Sequence, residues 1–343
     1  MTLKIKILII LIALFCLSLV GFIIRKNFPF VQNQEITPVP VPMVVGKIKG
    51  CWEIQDINNL VNHELERLKT DGINTITFSP PLAQTKDSDI RESPFAEAIT
   101  KMAINKLHQA GIRVMLEPSP MGPEAPPRAG NLKKFQDRMK EITLRYAEIA
   151  KKYNVEYFSP LAEPEHHMGI EEAEKWMREI LLEVRKRYGG QVMWKKTGAD
   201  LSVSEPKQFV HDIDFNGYDY IVLDTFREGT DPTLPEHIDY VRKLIENTKV
   251  QAKADGVPYV ILGEFGGTTL PVTYEPGRYL GTYQKKQSRT MTNKELTETT
   301  RAVLELAGNM TDGYIYSSCS MGGRGITVIP EVEEVIKEWY LSH

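Results

Sequence analysis

From residue 47 onward the sequence alternates short apolar runs with longer amphipathic stretches, and nothing else in it constrains the fold as much. Runs at residues 47–52, 73–78, 112–116, 155–158, 191–195, 218–223, 259–262 and 313–316 have the length and content of buried strands. Residues 57–70, 95–110, 132–153, 171–188, 236–254, 294–308 and 332–340 have helical periodicity; Leu60, Leu65 and Leu68, for example, recur at helical spacing. Gly72-Ile73 and Gly111-Ile112 read as glycine helix stops leading straight into the next strand. Strict alternation of strand and helix implies a parallel sheet with helices outside it. Eight repeats favour closure into an α/β barrel of the (β/α)8 TIM-barrel type. The competing architecture is an open doubly wound sheet, but no Gly-rich loop follows the first strand to hold a nucleotide phosphate.

Beyond residue 46 lie 297 of the 343 residues, somewhat more than the roughly 250 typical of one such barrel. A chain of that size buries a large core without disulfide staples. The net charge is −3 and no Lys/Arg-rich block stands out, which argues against nucleic acid as a partner. The N-terminal region is different. Lys4 and Lys6 precede an 18-residue apolar run at 7–24, broken only by Ser18 and Gly21 and closed by Arg25 and Lys26. That length suits a marginal membrane span, and no small-x-small cleavage site follows it directly. Residues 1–29 therefore read as an uncleaved signal anchor, a transmembrane helix placed before the barrel. Residues 30–46 are a linker in which Pro38, Pro40 and Pro42 alternate with Val, giving a stiff, extended spacer. The expected organisation is anchor, linker, and a barrel over 47–343 lying outside the cytoplasm. Nothing in the sequence sets the oligomeric state.

On such a barrel, side chains at the C-terminal ends of strands converge on one pit. Glu163 follows the fourth strand and Glu264 the seventh. Two carboxylates facing each other across a pit are the minimum kit for cleaving a glycosidic bond. Their surroundings carry a resemblance. Ala162-Glu163-Pro164-Glu165 resembles the Asn-Glu-Pro motif after strand four of retaining glycoside hydrolases of clan A, and Gly263-Glu264-Phe265-Gly266 resembles the nucleophile motif after strand seven in cellulases and mannanases of that clan. Residues 72–76, 111–118 and 146–150 look similar too. Together they most resemble family 113, which includes β-1,4-mannanases.

The resemblance implies double displacement on a β-linked polysaccharide or oligosaccharide, with β-mannan one candidate. Glu264 would be the nucleophile and Glu163 the acid/base, with no cofactor and no metal. One residue departs from the pattern: Ala162 stands where the family has an Asn that contacts the sugar hydroxyl beside the anomeric carbon. That departure keeps open a catalytically inactive glycan-binding barrel, and a barrel enzyme of unrelated chemistry is the third reading.

Strand-end position nominates further pit residues. Trp52 suits stacking on a sugar face, and Glu117, Lys195, Asp224 and Tyr316 suit hydroxyl binding. Glu165, His166 and His167 follow the acid directly; they invite a metal reading, but a sugar-binding role is preferred because no further His group accompanies them. The stretches 270–291 and 321–325 read as loops on the rim, the first bearing Tyr274, Tyr279 and Tyr283. Cys51 and Cys319 fall near the ends of the first and last strands, neighbours in a closed barrel; a disulfide and two buried free thiols both remain open.

Overall fold

Eight short strands, nearly all of their residues buried, form a parallel sheet that closes on itself: β1 (Ile48–Glu53), β2 (Thr75–Phe78), β3 (Arg113–Leu116), β4 (Tyr157–Phe158), β5 (Gln191–Lys196), β6 (Tyr220–Asp224), β7 (Tyr259–Phe265) and β8 (Gly313–Tyr316). Each strand pairs with its sequence neighbours, and β1 closes the cylinder on β8 with Ile48 opposite Gly313 and Cys51 opposite Tyr316. The computed structural model describes residues 38, 46–53, 57–85, 89–120, 131–196, 213–225, 234–265, 274–275, 284–285, 292–320 and 326–343. The chain divides into two units, Met1–Thr37 and Pro38–His343. The apolar run at 7–24, most of the linker, and the 321–325 loop lie outside the described residues. Among the described residues no helix is long and apolar enough to cross a membrane.

The helices of six or more residues are α1 (Leu65–Thr70), α2 (Ala96–Gln109), α3 (Leu132–Lys152), α4 (Ile170–Arg187), α5 (Leu234–Ala254), α6 (Asn293–Ala307) and α7 (Pro330–Ser342). A π-helical turn, Leu60–Glu64, precedes α1. Residues 197–212, between β5 and β6, are outside the described set. Helix α6 begins with a reciprocal cap between Thr292 and Glu295.

Four helices end in one device. Gly72, Gly111, Asn154 and Gly256 all have positive φ, a conformation glycine and asparagine tolerate best. The next residue then donates its N–H back into the helix: Ile73 to Leu68, Ile112 to Leu107, Val155 to Ala150 and Val257 to Ala252, at 2.8–3.1 Å. These apolar residues therefore belong to helix caps. For that reason β2, β3 and β4 start one or two residues later than the apolar pattern suggests.

A second device closes the N-terminal rim. The residues just before β2, β4, β6 and β8 are Asn74, Glu156, Asp219 and Asp312. Each side chain accepts the backbone N–H of the second residue of the preceding strand: Lys49 at 3.0 Å, Val114 at 2.9 Å, Val192 at 2.7 Å and Val260 at 2.9 Å. Inside the barrel, Ile48, Met115, Tyr157, Met193, Val222, Ile261 and Ile315 pack into one apolar cluster below Trp52. It is a filled core, as barrels of this size require.

Cys51 and Cys319 are joined by a disulfide, Cα atoms 5.1 Å apart and 268 residues apart in sequence. The sequence left that pairing open. Closure decides it, because the first and last strands are neighbours only once the sheet has become a cylinder. The stretch 270–291 is described only at Tyr274–Glu275 and Gln284–Lys285, which pair antiparallel; the rest of it lies outside the described residues.

Candidate active site

Side chains alternate across a strand, so the residue two positions past a core residue also points inward. On β3 the series is Met115 then Glu117, on β5 Met193 then Lys195, and on β6 Val222 then Asp224. Trp52 reaches inward from β1 in the same way. Apolar filling thus gives way to polar groups at the C-terminal end of the strands, where barrels of this type carry their sites.

Alternation alone would turn Glu264 outward, since Ile261 faces in and Gly263 would follow it. The pairing of β7 with β8 breaks that rhythm. Leu262 lies opposite Tyr314 and Phe265 opposite Tyr316, so Gly263 and Glu264 together face Ile315. This is a β-bulge, which re-aims a side chain at the expense of one ladder position. Glu264 takes a φ of 22° there. Glycine at 263 is required by close approach: a Cβ would fall 2.5 Å from Asp224 Oδ1 and from a Val222 methyl.

Glu163 is held by a different distortion. Ala162 forms an isolated parallel bridge with Lys195, and the Glu163 N–H donates to the Lys195 carbonyl at 3.0 Å. Glu163 then adopts left-handed φ/ψ of 45° and 55°, ahead of a short helix, Pro164–Met168. Among the described residues only Asn154, Glu163 and Glu264 have positive φ without being glycine. Asn154 is a helix cap; the other two are the strand-end glutamates. Non-glycine residues in this region carry strain of about 1–3 kcal/mol each, and such strain concentrates at functional sites.

Lys195 is the centre of the pit. Its ammonium contacts the Glu264 carboxylate directly, lies 3.3 Å from Glu117 and 3.6 Å from Asp224, and sits 4.2 Å above the centre of the Trp52 ring. All of these side chains are buried. Burial opposes the charge on Lys195, but Asp224, Glu117, Glu264 and Glu163 together hold it protonated well above the ordinary lysine value. Burial pushes the Glu117 and Asp224 carboxyls up, with Lys195 pulling the other way. Glu264 is raised to about 8, first by burial and further by the charges of Glu163 and Glu117, against the pull of Lys195. Among the described residues, Glu117 Oε2 and both oxygens of Asp224 have no hydrogen-bond partner.

The structure therefore brings Trp52, Glu117, Lys195, Asp224 and Glu264 together, with Glu163 beside them. It does not bring the other candidates there. Tyr316 follows inward-facing Ile315 and so points out of the barrel, its ring edge-on to Phe265 and its hydroxyl beside Thr300 of α6. Glu165 lies on the outer side of β5, accepting the Trp194 indole N–H at 2.8 Å, and burial pushes its carboxyl up to about 7. His167 stacks on Phe135 of α3, ring centres 5.4 Å apart. The His166 side chain lies outside the described residues.

Ser79, outside the strand-end candidates, follows β2, and its hydroxyl donates to the Glu117 backbone carbonyl at 2.8 Å. Its two-residue spacing from Thr77 was the available signal. Among the described residues no group of His, Cys, Asp or Glu is arranged to hold a metal ion.

No protein-family model matches the sequence, and no curated protein matches it. Solved structures do match the fold. A family 113 β-1,4-mannanase superposes with a TM-score of 0.61 at 17% identity, over 87% of this chain and 100% of its own. A family 113 β-mannanase from Alicyclobacillus acidocaldarius gives 0.58 at 15% identity, over 87% and 98%. A family 5 lichenase from Caldicellulosiruptor sp. F32, solved with cellotetraose, gives 0.54 at 12% identity, over 90% and 99%. The chain has the barrel fold of these glycoside hydrolases. At such identities the likeness concerns the fold.

Proposed function

We propose that this protein is a retaining glycoside hydrolase acting on a β-linked polysaccharide or oligosaccharide, with Glu264 as nucleophile and Glu163 as acid/base. The observation that carries the reading is the pair of backbone distortions, the β7 bulge at Glu264 and the left-handed turn after β4 at Glu163, which leave the two glutamates close enough for the charge of Glu163 to act on Glu264. In double displacement one carboxyl protonates the leaving oxygen while the other attacks the anomeric carbon; the first then activates water against the glycosyl-enzyme. Similarity in fold to family 113 mannanases makes β-mannan the first substrate to try.

The apolar run at 7–24, flanked by Lys and Arg, supports anchoring to a membrane, with the Pro-rich linker as a spacer. The Cys51–Cys319 disulfide supports an oxidising, extracytoplasmic location for the barrel.

The test is a screen of the purified protein on defined β-linked oligosaccharides, with the anomeric form of the first product read by NMR. Retention of configuration is expected. Inversion would remove the nucleophile role from Glu264. A second reading, a glycan-binding barrel without activity, is favoured by Ala162, which stands where the family pattern has an Asn. Under that reading the parent protein binds oligosaccharide without releasing product.

A further inference from the structure

We propose that Lys195 is a positioning residue: the counter-ion that opposes protonation of the Glu264 carboxylate and holds it aimed into the pit. This departs from its expected role as a contact for sugar hydroxyls, and it rests on the nucleophile role given to Glu264 above.

The argument begins with what faces Glu264 from each wall. Trp52 comes from β1, Glu117 from β3, Glu163 from the turn after β4, Lys195 from β5 and Asp224 from β6. Four of these six side chains, counting Glu264 itself, are carboxyls. Among the described residues of the cluster, Lys195 is the sole cation. A buried carboxylate surrounded by others is driven to take up a proton, and a protonated carboxyl cannot attack an anomeric carbon. The ammonium of Lys195 opposes that drive by direct contact.

Lys195 is also fixed from below. Its carbonyl accepts the Glu163 N–H at 3.0 Å, and its Cα pairs with Val222. One residue thus ties the backbone of the proposed acid/base to the side chain of the proposed nucleophile. The aromatic face of Trp52 lies beneath the ammonium and leaves that charge nowhere to relax except toward the carboxylates. A lysine that reads sugar hydroxyls has ammonium donors to spare for them. This one is 2% exposed and saturated with carboxylate neighbours.

The experiment compares the parent protein with Lys195→Met and Lys195→Arg. The Glu264 carboxyl is followed by 13C NMR in protein labelled at glutamate, and the pH profile of kcat/KM is measured alongside. An opposite charge in contact lowers a carboxyl pKa by about 1–3 units, so in Lys195→Met the Glu264 midpoint and the acidic limb of the profile should both rise by about that much. Lys195→Arg should return both toward the parent. An unmoved Glu264 midpoint in Lys195→Met overturns the proposal, as does a raised KM with an unchanged pH profile.

If Lys195→Met does not fold, Glu264→Gln reports the same pairing from the other side. The Lys195 ammonium, followed by 15N NMR, should then titrate at lower pH than in the parent, and an unchanged midpoint overturns the proposal. The NMR midpoint needs no turnover. Full hydrolysis by Glu264→Gln would therefore dismiss the nucleophile role while leaving the ion pair standing, and the two failures are told apart.

Discussion

The two ends of the barrel treat their polar side chains differently. At the N-terminal rim, Asn74, Glu156, Asp219 and Asp312 each accept at least one backbone N–H from the neighbouring strand, so every one has a structural partner. At the C-terminal end, neither oxygen of Asp224 has a hydrogen bond among the described residues, and Glu117, like Glu156 at the rim, leaves one oxygen without a partner. The rim groups knit strands; the pit groups gather around one lysine. Buried acceptors without donors are destabilising by about 1–3 kcal/mol each. Where a fold tolerates several in one place, they point to a site made to meet something other than the protein itself.

That contrast breaks down if changes at the two ends have the same effect. The largest expected effect is on turnover: Glu264→Ala should lower hydrolysis by at least about 10³-fold, read as initial rate on the substrate found in the screen. Circular dichroism should show the fold kept. Reduction of Cys51–Cys319, or Cys319→Ala, should lower stability by about 2–5 kcal/mol in chemical denaturation, because the bond closes a loop of 268 residues in the unfolded chain.

Glu165 should give the contrast a pH dependence. Its folded carboxyl sits near 7 against an ordinary 4.5, so the folded state keeps this proton longer than the unfolded chain. Its contribution is fully favourable below about pH 4.5 and is lost as pH rises to about 7, a difference of up to about 3 kcal/mol. Glu165→Gln should remove that slope and melt above the parent at neutral pH and higher. The smallest effect belongs to the rim: Asp312→Ala should destabilise by about 1–3 kcal/mol, by stranding the Val260 N–H, with kcat unchanged. A rim variant that lost turnover without losing stability would contradict the division of labour.

The spacing of apolar runs was enough to read the barrel, because strand and helix periods are local properties of a sequence. The glycine stops at 72 and 111 were legible for the same reason, though the apolar residue after each was assigned to a strand when it closes a helix. Glu117, Lys195 and Asp224 were legible as strand ends. Tyr316, nominated by its strand-end position, points out of the barrel: strand ends name a neighbourhood, and inward or outward direction depends on a register that only pairing sets. Glu165 and His167 were read by their nearness in sequence to Glu163, but the short helix after that residue carries them behind the β5 wall and onto α3.

By itself the sequence determined the eight barrel strands, their order, the glycine stops at 72 and 111 and the two glutamates at strand ends, since all of these follow from local pattern and residue chemistry. Only the tertiary structure decided that a bulge turns Glu264 inward, that Lys195 meets it there, and that Cys51 and Cys319 join. Each of those depends on groups far apart in the chain becoming neighbours, and that proximity is created when the sheet closes into a cylinder.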